Sequence, residues 1–189
     1  TRSETLADFK RRLGPPDTVD LNTTVLDGGR VTLDELHHTC DAVPFLADKR
    51  LVIVEGLLSR LTPRKGRSLS DAKQRLLDHL TDYLPQLPST TRLVLVEERS
   101  VPSSHPILKL ARQEQRGYVR RFERPDAGTL PGWIKKRVRR HGGDIEPRAA
   151  HRLATVVGTD LRLLDQEILK LVTYTAGESP ISDTDVETL

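Results

Sequence analysis

The chain has 189 residues, 36% hydrophobic and 30% charged, with a formal net charge of +3 and a pI near 9.2. Such a length buries one large core or two small ones, and the charge fits a nucleic-acid neighbourhood without requiring one. Proline aside, apolar runs such as Leu51 to Val54 are far too short to cross a bilayer. No charged-then-apolar leader opens the sequence, and the lone Cys40 cannot close an internal disulfide. A reducing cytoplasm is the expected compartment. A chain that starts on Thr1 and lacks methionine reads as part of something longer.

Leu6, Phe9 and Leu13 share one face of a first helix that stops at Gly14-Pro15-Pro16. Thr18 to Thr24 reads as a strand, followed by an Asp27-Gly28-Gly29 turn. Thr32 and Glu35 have capping-box spacing and open a helix through Leu33, Leu36 and Cys40. Lys49 to Glu55 is too continuously apolar to have a wet face, which predicts a central strand of a parallel sheet. The basic stretch from Arg60 to Ser70 reads as a mobile loop. Leu76, Leu77, Leu80 and Leu84 mark a long amphipathic helix. A buried strand over Leu93 to Glu97, a short helix over Ile107 to Ala111 and a last strand over Tyr118 to Phe122 complete an α/β domain, residues 1–125.

Residues 126–189 carry no strand pattern. Pro131 suits the first turn of a helix with Leu130, Ile134 and Val138 inward, ended by Gly142-Gly143. A second helix buries Ala150, Leu153 and Val157 and closes at Gly158. Asp160 caps a third, which buries Leu161, Leu164, Ile168, Leu171 and Val172, and Ser182 with Asp185 begins a fourth. The expectation is a small all-helical second domain.

Nucleotide hydrolysis needs a glycine-rich loop between strand and helix with a lysine and a hydroxyl. The segment Arg64-Lys65-Gly66-Arg67-Ser68 has one glycine and no strand leading into it. Glu55 and Glu97-Glu98 end apolar strands in the manner of magnesium ligands, though apolar-then-acidic strand ends are common. His37, His38 and Cys40 lack a second ligand pair at zinc spacing, and no serine sits in a G-x-S-x-G elbow. No catalytic residue, metal or cofactor is expected. Basic residues gather in three clusters: Arg60, Arg64, Lys65 and Arg67; Arg116, Arg120, Arg121 and Arg124; and Lys135 to Arg140. In the third, Lys135, Lys136, Arg139 and Arg140 lie opposite the Ile134 and Val138 seam, a cationic stripe suited to phosphates. A plainly solvated face is the competing explanation.

Val43-Pro44-Phe45-Leu46 puts four consecutive non-polar residues where a helix ends and a charged turn begins. Helix–strand connections normally lie in water and are polar. Such a wedge either folds into the core or is offered to a partner. A helix with a single buried face cannot cover all four, so the partner reading is adopted, with Pro44, Phe45 and Leu46 as contact residues.

Together these pieces resemble the delta subunit of the bacterial DNA polymerase III clamp loader. The carriers are Asp20-Leu-Asn-Thr-Thr24 with Leu26-Asp-Gly28, Thr32-Leu-Asp-Glu-Leu36, and Val43-Pro-Phe-Leu-Ala-Asp-Lys-Arg-Leu-Val-Ile-Val-Glu55. Val157-Gly-Thr-Asp-Leu-Arg-Leu-Leu-Asp-Gln-Glu-Ile-Leu-Lys-Leu171 and Ile181 to Val186 extend the likeness to the second domain. The resemblance implies an AAA+-type parallel-sheet domain, its first strand missing, followed by a helical lid and lacking the C-terminal collar domain. It implies no ATP hydrolysis by this subunit, and a hydrophobic wedge at Pro44 and Phe45 that binds and opens the sliding clamp (the beta subunit) during replication. Other loader subunits and primer–template DNA are the further partners implied, in a nucleoid-associated replisome and not at a membrane. Two rivals remain: an active ATPase whose phosphate loop lies before Thr1, and a DNA-binding module built on the basic stripe.

Overall fold

The computed structural model describes residues 2–63, 66–113, 117–123 and 125–188. They form two compact units, Thr1–Phe122 and Glu123–Leu189.

In the first unit, helices α1 (Arg2–Arg11) and α2 (Pro16–Leu21) lead into strand β1 (Thr23–Asp27). Then come α3 (Leu33–Asp41), β2 (Arg50–Glu55), α4 (Leu57–Arg60), α5 (Asp71–Tyr83) with a 3-10 turn at Leu84–Gln86, β3 (Thr91–Val96) and α6 (Pro106–Gln113). The sheet is parallel in the order β1-β2-β3, with Thr23 opposite Leu51 and Arg50 opposite Thr91. Side chains alternate across β2, and both faces are covered. Val52 and Val54 join Leu26, Leu36, Cys40, Leu57 and Leu80 in one core. Leu51 and Ile53 join Val96 on the other face, under Leu6, Leu13 and Val94. This double cover is why Lys49 to Glu55 shows no polar alternation, and the central parallel strand is as expected.

Four local expectations need correction. Thr18 to Thr24 is not one strand, because Pro16 at the first turn and Asp17 behind it start helix α2, and Asn22 ends it by donating its N–H to Thr18 O and Val19 O. The strand begins only at Thr23. Arg60 does not open a mobile loop. It ends α4 above a fully buried Leu61, and its guanidinium donates to Gly28 O at 3.1 Å and Val31 O at 2.9 Å. Strand β3 pairs on one side only among the described residues, so Leu93, Val94 and Leu95 are half-buried rather than buried. Tyr118 to Phe122 is not a strand: Tyr118, Val119 and Phe122 are exposed, and no ladder partner faces them among the described residues. Aromatic and β-branched residues favour a strand but cannot supply its neighbour.

Gly28 holds the turn after β1 against the β2–α4 junction. A Cβ there would lie 2.4 Å from the Leu57 nitrogen and 2.6 Å from the Glu55 carbonyl, to which Gly28 N–H donates at 2.8 Å. No side chain fits in that gap.

The second unit packs α7 (Leu130–Arg140), α8 (Pro147–Val157), α9 (Leu161–Tyr174) and α10 (Asp183–Glu187) around Leu130, Ile134, Val138, Leu153, Leu164, Ile168, Leu171 and Val186. Asp160 caps α9 through the amides of Arg162 and Leu163, and Ser182 with Asp185 forms a full capping box. One parallel bridge, Ile145 with Ile181, is the β pairing found here among the described residues. It ties two buried isoleucines between helices without building a strand. No helix among the described residues is long and apolar enough to cross a membrane.

Candidate functional site

The end of α3 is held from several sides. The Thr91 hydroxyl donates to Cys40 O at 2.5 Å, and the Tyr83 hydroxyl donates to the Asp41 carboxylate at 2.6 Å. His37 stacks on Tyr83 with ring centroids 3.9 Å apart. Burial, and then the Asp41 charge, push the Cys40 thiol up to about 11, so it packs as a small neutral apolar group. Burial raises the Tyr83 hydroxyl also, reinforced by its hydrogen bond to Asp41. His38 is exposed, so His37, His38 and Cys40 do not converge.

Pro44 has no N–H and disfavours helix at the residue before it, so the chain leaves α3 at Ala42 in an extended conformation. It then turns sharply enough to place Leu46 at φ 49°, a left-handed conformation that costs a non-glycine residue about 1–2 kcal/mol. The turn is gripped by Asn22, whose side chain is buried at 3% exposure. The Asn22 carboxamide oxygen accepts from Phe45 N–H at 2.7 Å, and its nitrogen donates to Phe45 O at 2.7 Å and Thr18 O at 2.8 Å. The backbone is thus fixed while the side chains point out. Val43 is 87%, Phe45 58% and Leu46 80% exposed, and Pro44 is half-buried.

Asn22 is the residue the sequence reading missed as a functional part. Its place directly after a proline-started helix marks it as a cap, but nothing local points 23 residues ahead to Phe45.

The basic residues that are described differ in their surroundings. Arg60 is spent on two carbonyls, Arg67 is exposed, and Arg64 and Lys65 lie outside the described residues. Arg120 and Arg121 are exposed, Arg120 standing 5.0 Å above the Phe122 ring, while Arg116 and Arg124 lie outside the described residues. On α7, Ile134 and Val138 are fully buried; Lys136, Arg139 and Arg140 are exposed on the opposite side and Lys135 is half-buried. Arg139 faces Asp144 at 3.6 Å. Arg137, between them in sequence, turns inward to a bidentate pair with Asp165, which His141 also contacts at 2.7 Å. Those hydrogen bonds, Arg137 first, hold the Asp165 carboxyl down at about 2.

At the far end of the sheet, the Glu97 carboxylate accepts from Leu58 N–H at 2.7 Å, Ser59 N–H at 3.0 Å and the Ser59 hydroxyl at 2.5 Å. It caps α4. Glu55 is exposed at the end of β2.

A family model described as DNA polymerase III, delta subunit, matches residues 12–116, more than half of the chain. Among solved structures, the Bacillus subtilis DNA clamp loader delta protein (YqeN) superposes with a TM-score of 0.80 at 21% identity, covering 99% of this chain and 54% of that one. This chain therefore spans about half the length of that protein. Two variants of Thermotoga maritima RuvB match with TM-scores of 0.46 and 0.45 at 15% and 16% identity, covering 90% and 98% of this chain and 52% and 66% of theirs. No curated protein matches the chain. The likeness to the delta protein carries the fold class.

Proposed function

The chain belongs to the DNA polymerase III delta-subunit family, and from that premise we propose that it binds the sliding clamp through the Val43–Leu46 tip and helps to open the ring. The observation that carries this reading is an exposed apolar edge on a fixed backbone: Phe45 and Leu46 stand in solvent while Asn22 holds the main chain of Phe45. Burying one phenylalanine side chain contributes about 1.5–3 kcal/mol, enough for the anchor of an interface. Pro44 adds little conformational entropy to lose, which lowers the cost of docking.

The subunit would supply binding energy and no chemistry. A wedge shifts a ring toward opening only by binding the open or strained form more tightly than the closed one. In this reading hydrolysis belongs to other subunits of the polymerase III clamp loader, in the bacterial cytoplasm, and Lys135, Lys136, Arg139 and Arg140 lie toward the phosphates of primer–template DNA.

Calorimetric titration with the sliding clamp of the same organism tests the reading, comparing the wild-type chain with Phe45→Ala. Loss of most binding with an unchanged unfolding midpoint supports it. Undiminished binding by the variant, or ATP turnover by the purified chain, counts against it.

A further inference from the structure

We infer that Asn22 is a positioning residue for partner binding, which presets the main chain of Phe45 so that the tip is presented already in its docking shape. The inference rests on the clamp-binding reading of this same tip. Among the described residues, the hydrogen bonds that fix the main chain between Val43 and Asp48 are the two exchanged between Phe45 and Asn22. Both are 2.7 Å long, and the carboxamide that makes them is buried and tied on its other side to Thr18 O at 2.8 Å.

The chemistry requires this residue type. One planar group must donate to a carbonyl and accept from an amide of the same residue, as a neighbouring peptide would in a sheet. Aspartate retains the acceptor but turns a second acceptor toward Phe45 O and Thr18 O. Leucine has the shape and neither function. Leu46 supplies the second observation. It holds a left-handed φ of 49° while its own side chain is exposed, so burial within this unit does not compensate for the conformation. The residue before it is the one Asn22 clamps. A loop left to itself would relax that angle, whereas a loop held this way loses less freedom on binding.

The test is a double-mutant cycle read by calorimetry against the sliding clamp, using the wild-type chain, Asn22→Asp, Phe45→Ala and the double variant. It is paired with unfolding midpoints and with hydrogen exchange at the Phe45 amide of the wild-type chain, which needs no variant to fold. The expected results are a protected Phe45 amide, clamp affinity about tenfold weaker for Asn22→Asp, and almost no further loss when that change is added to Phe45→Ala. Wild-type binding with Asn22→Asp equally tight overturns the inference and leaves the clamp-binding reading standing. So does the same loss on both backgrounds, since Asn22 would then act elsewhere, and so does a Phe45 amide that exchanges as fast as an unstructured one. Absence of any wild-type binding overturns both.

Discussion

Arg50, the first residue of β2, reaches back beneath the tip and donates to the Ala42 carbonyl at 3.1 Å, while its other amino nitrogen comes within 3.4 Å of the Thr24 hydroxyl. One half-buried guanidinium thereby joins the end of α3 to β1 and β2. Arg50→Leu keeps the stem and removes both donors, which leaves the Ala42 carbonyl without its partner. The expected cost is about 1–2 kcal/mol of stability, read as a lower urea midpoint at unchanged slope.

Phe45→Ala should behave in the opposite way. Its ring is more than half exposed, so little packing is lost inside the unit. The expected stability change is within about 0.5 kcal/mol, while clamp affinity falls by about 10- to 100-fold, matching the loss of 1.5–3 kcal/mol of burial at the partner surface. A stability loss of several kcal/mol would place the ring in the core instead.

Glu97 should matter for stability and not for the tip. It caps α4 at the carboxyl end of the parallel sheet, whereas the tip precedes the amino end of β2. Glu97→Ala is expected to cost about 1–2 kcal/mol, the usual loss of a helix cap. Thermal unfolding reads that cost, and a clamp titration of the same variant should return the wild-type affinity.

Asp165 gives the second unit an acid limb. Its carboxyl is held at about 2 by Arg137 and His141. The folded state thus binds a proton less readily than the unfolded one, whose aspartates titrate near 3.9. The stabilisation is complete above about pH 4 and is lost as pH falls toward 2. With Asp165 about one-third exposed, screening leaves about 1–2 kcal/mol. Denaturation midpoints measured from neutral pH down to 2 should show this loss in the wild type and not in Asp165→Asn, which starts lower.

Lys136 tests the proposed DNA contact. If its ammonium meets a phosphate, Lys136→Ala reduces the slope of log affinity against log salt by about one unit, uniformly across DNA sequences. Filter binding or anisotropy at several salt concentrations reads that slope, and an unchanged slope leaves the lysine a solvated surface charge.

Much of the frame is legible in the sequence. The run from Leu51 to Val54 announced a strand wet on neither side, and it is the central one. Thr32, Asp160 and the Ser182–Asp185 pair lie where the helices begin. The misreadings have one kind of cause. Thr18 and Val19 carry strand preference, yet Pro16 two residues earlier had already set the backbone for a helix. Tyr118, Val119 and Phe122 are residue types that strands favour, but the segment has no ladder to join among the described residues. Arg60 looked like one more solvated cation until two carbonyls from the β1 turn stood beside it.

The sequence by itself determined the helix starts, the central strand and the apolar character of residues 43–46, because each rests on side chains within a few positions of one another. Tertiary structure alone decided that this apolar segment stands in solvent on a fixed main chain, that Glu97 closes helix α4, and that Arg137 leaves the basic stripe for Asp165. Those partners lie between 23 and 39 residues apart. Sheet register and helix packing bring them within hydrogen-bond reach, and none of these pairings is written in local spacing.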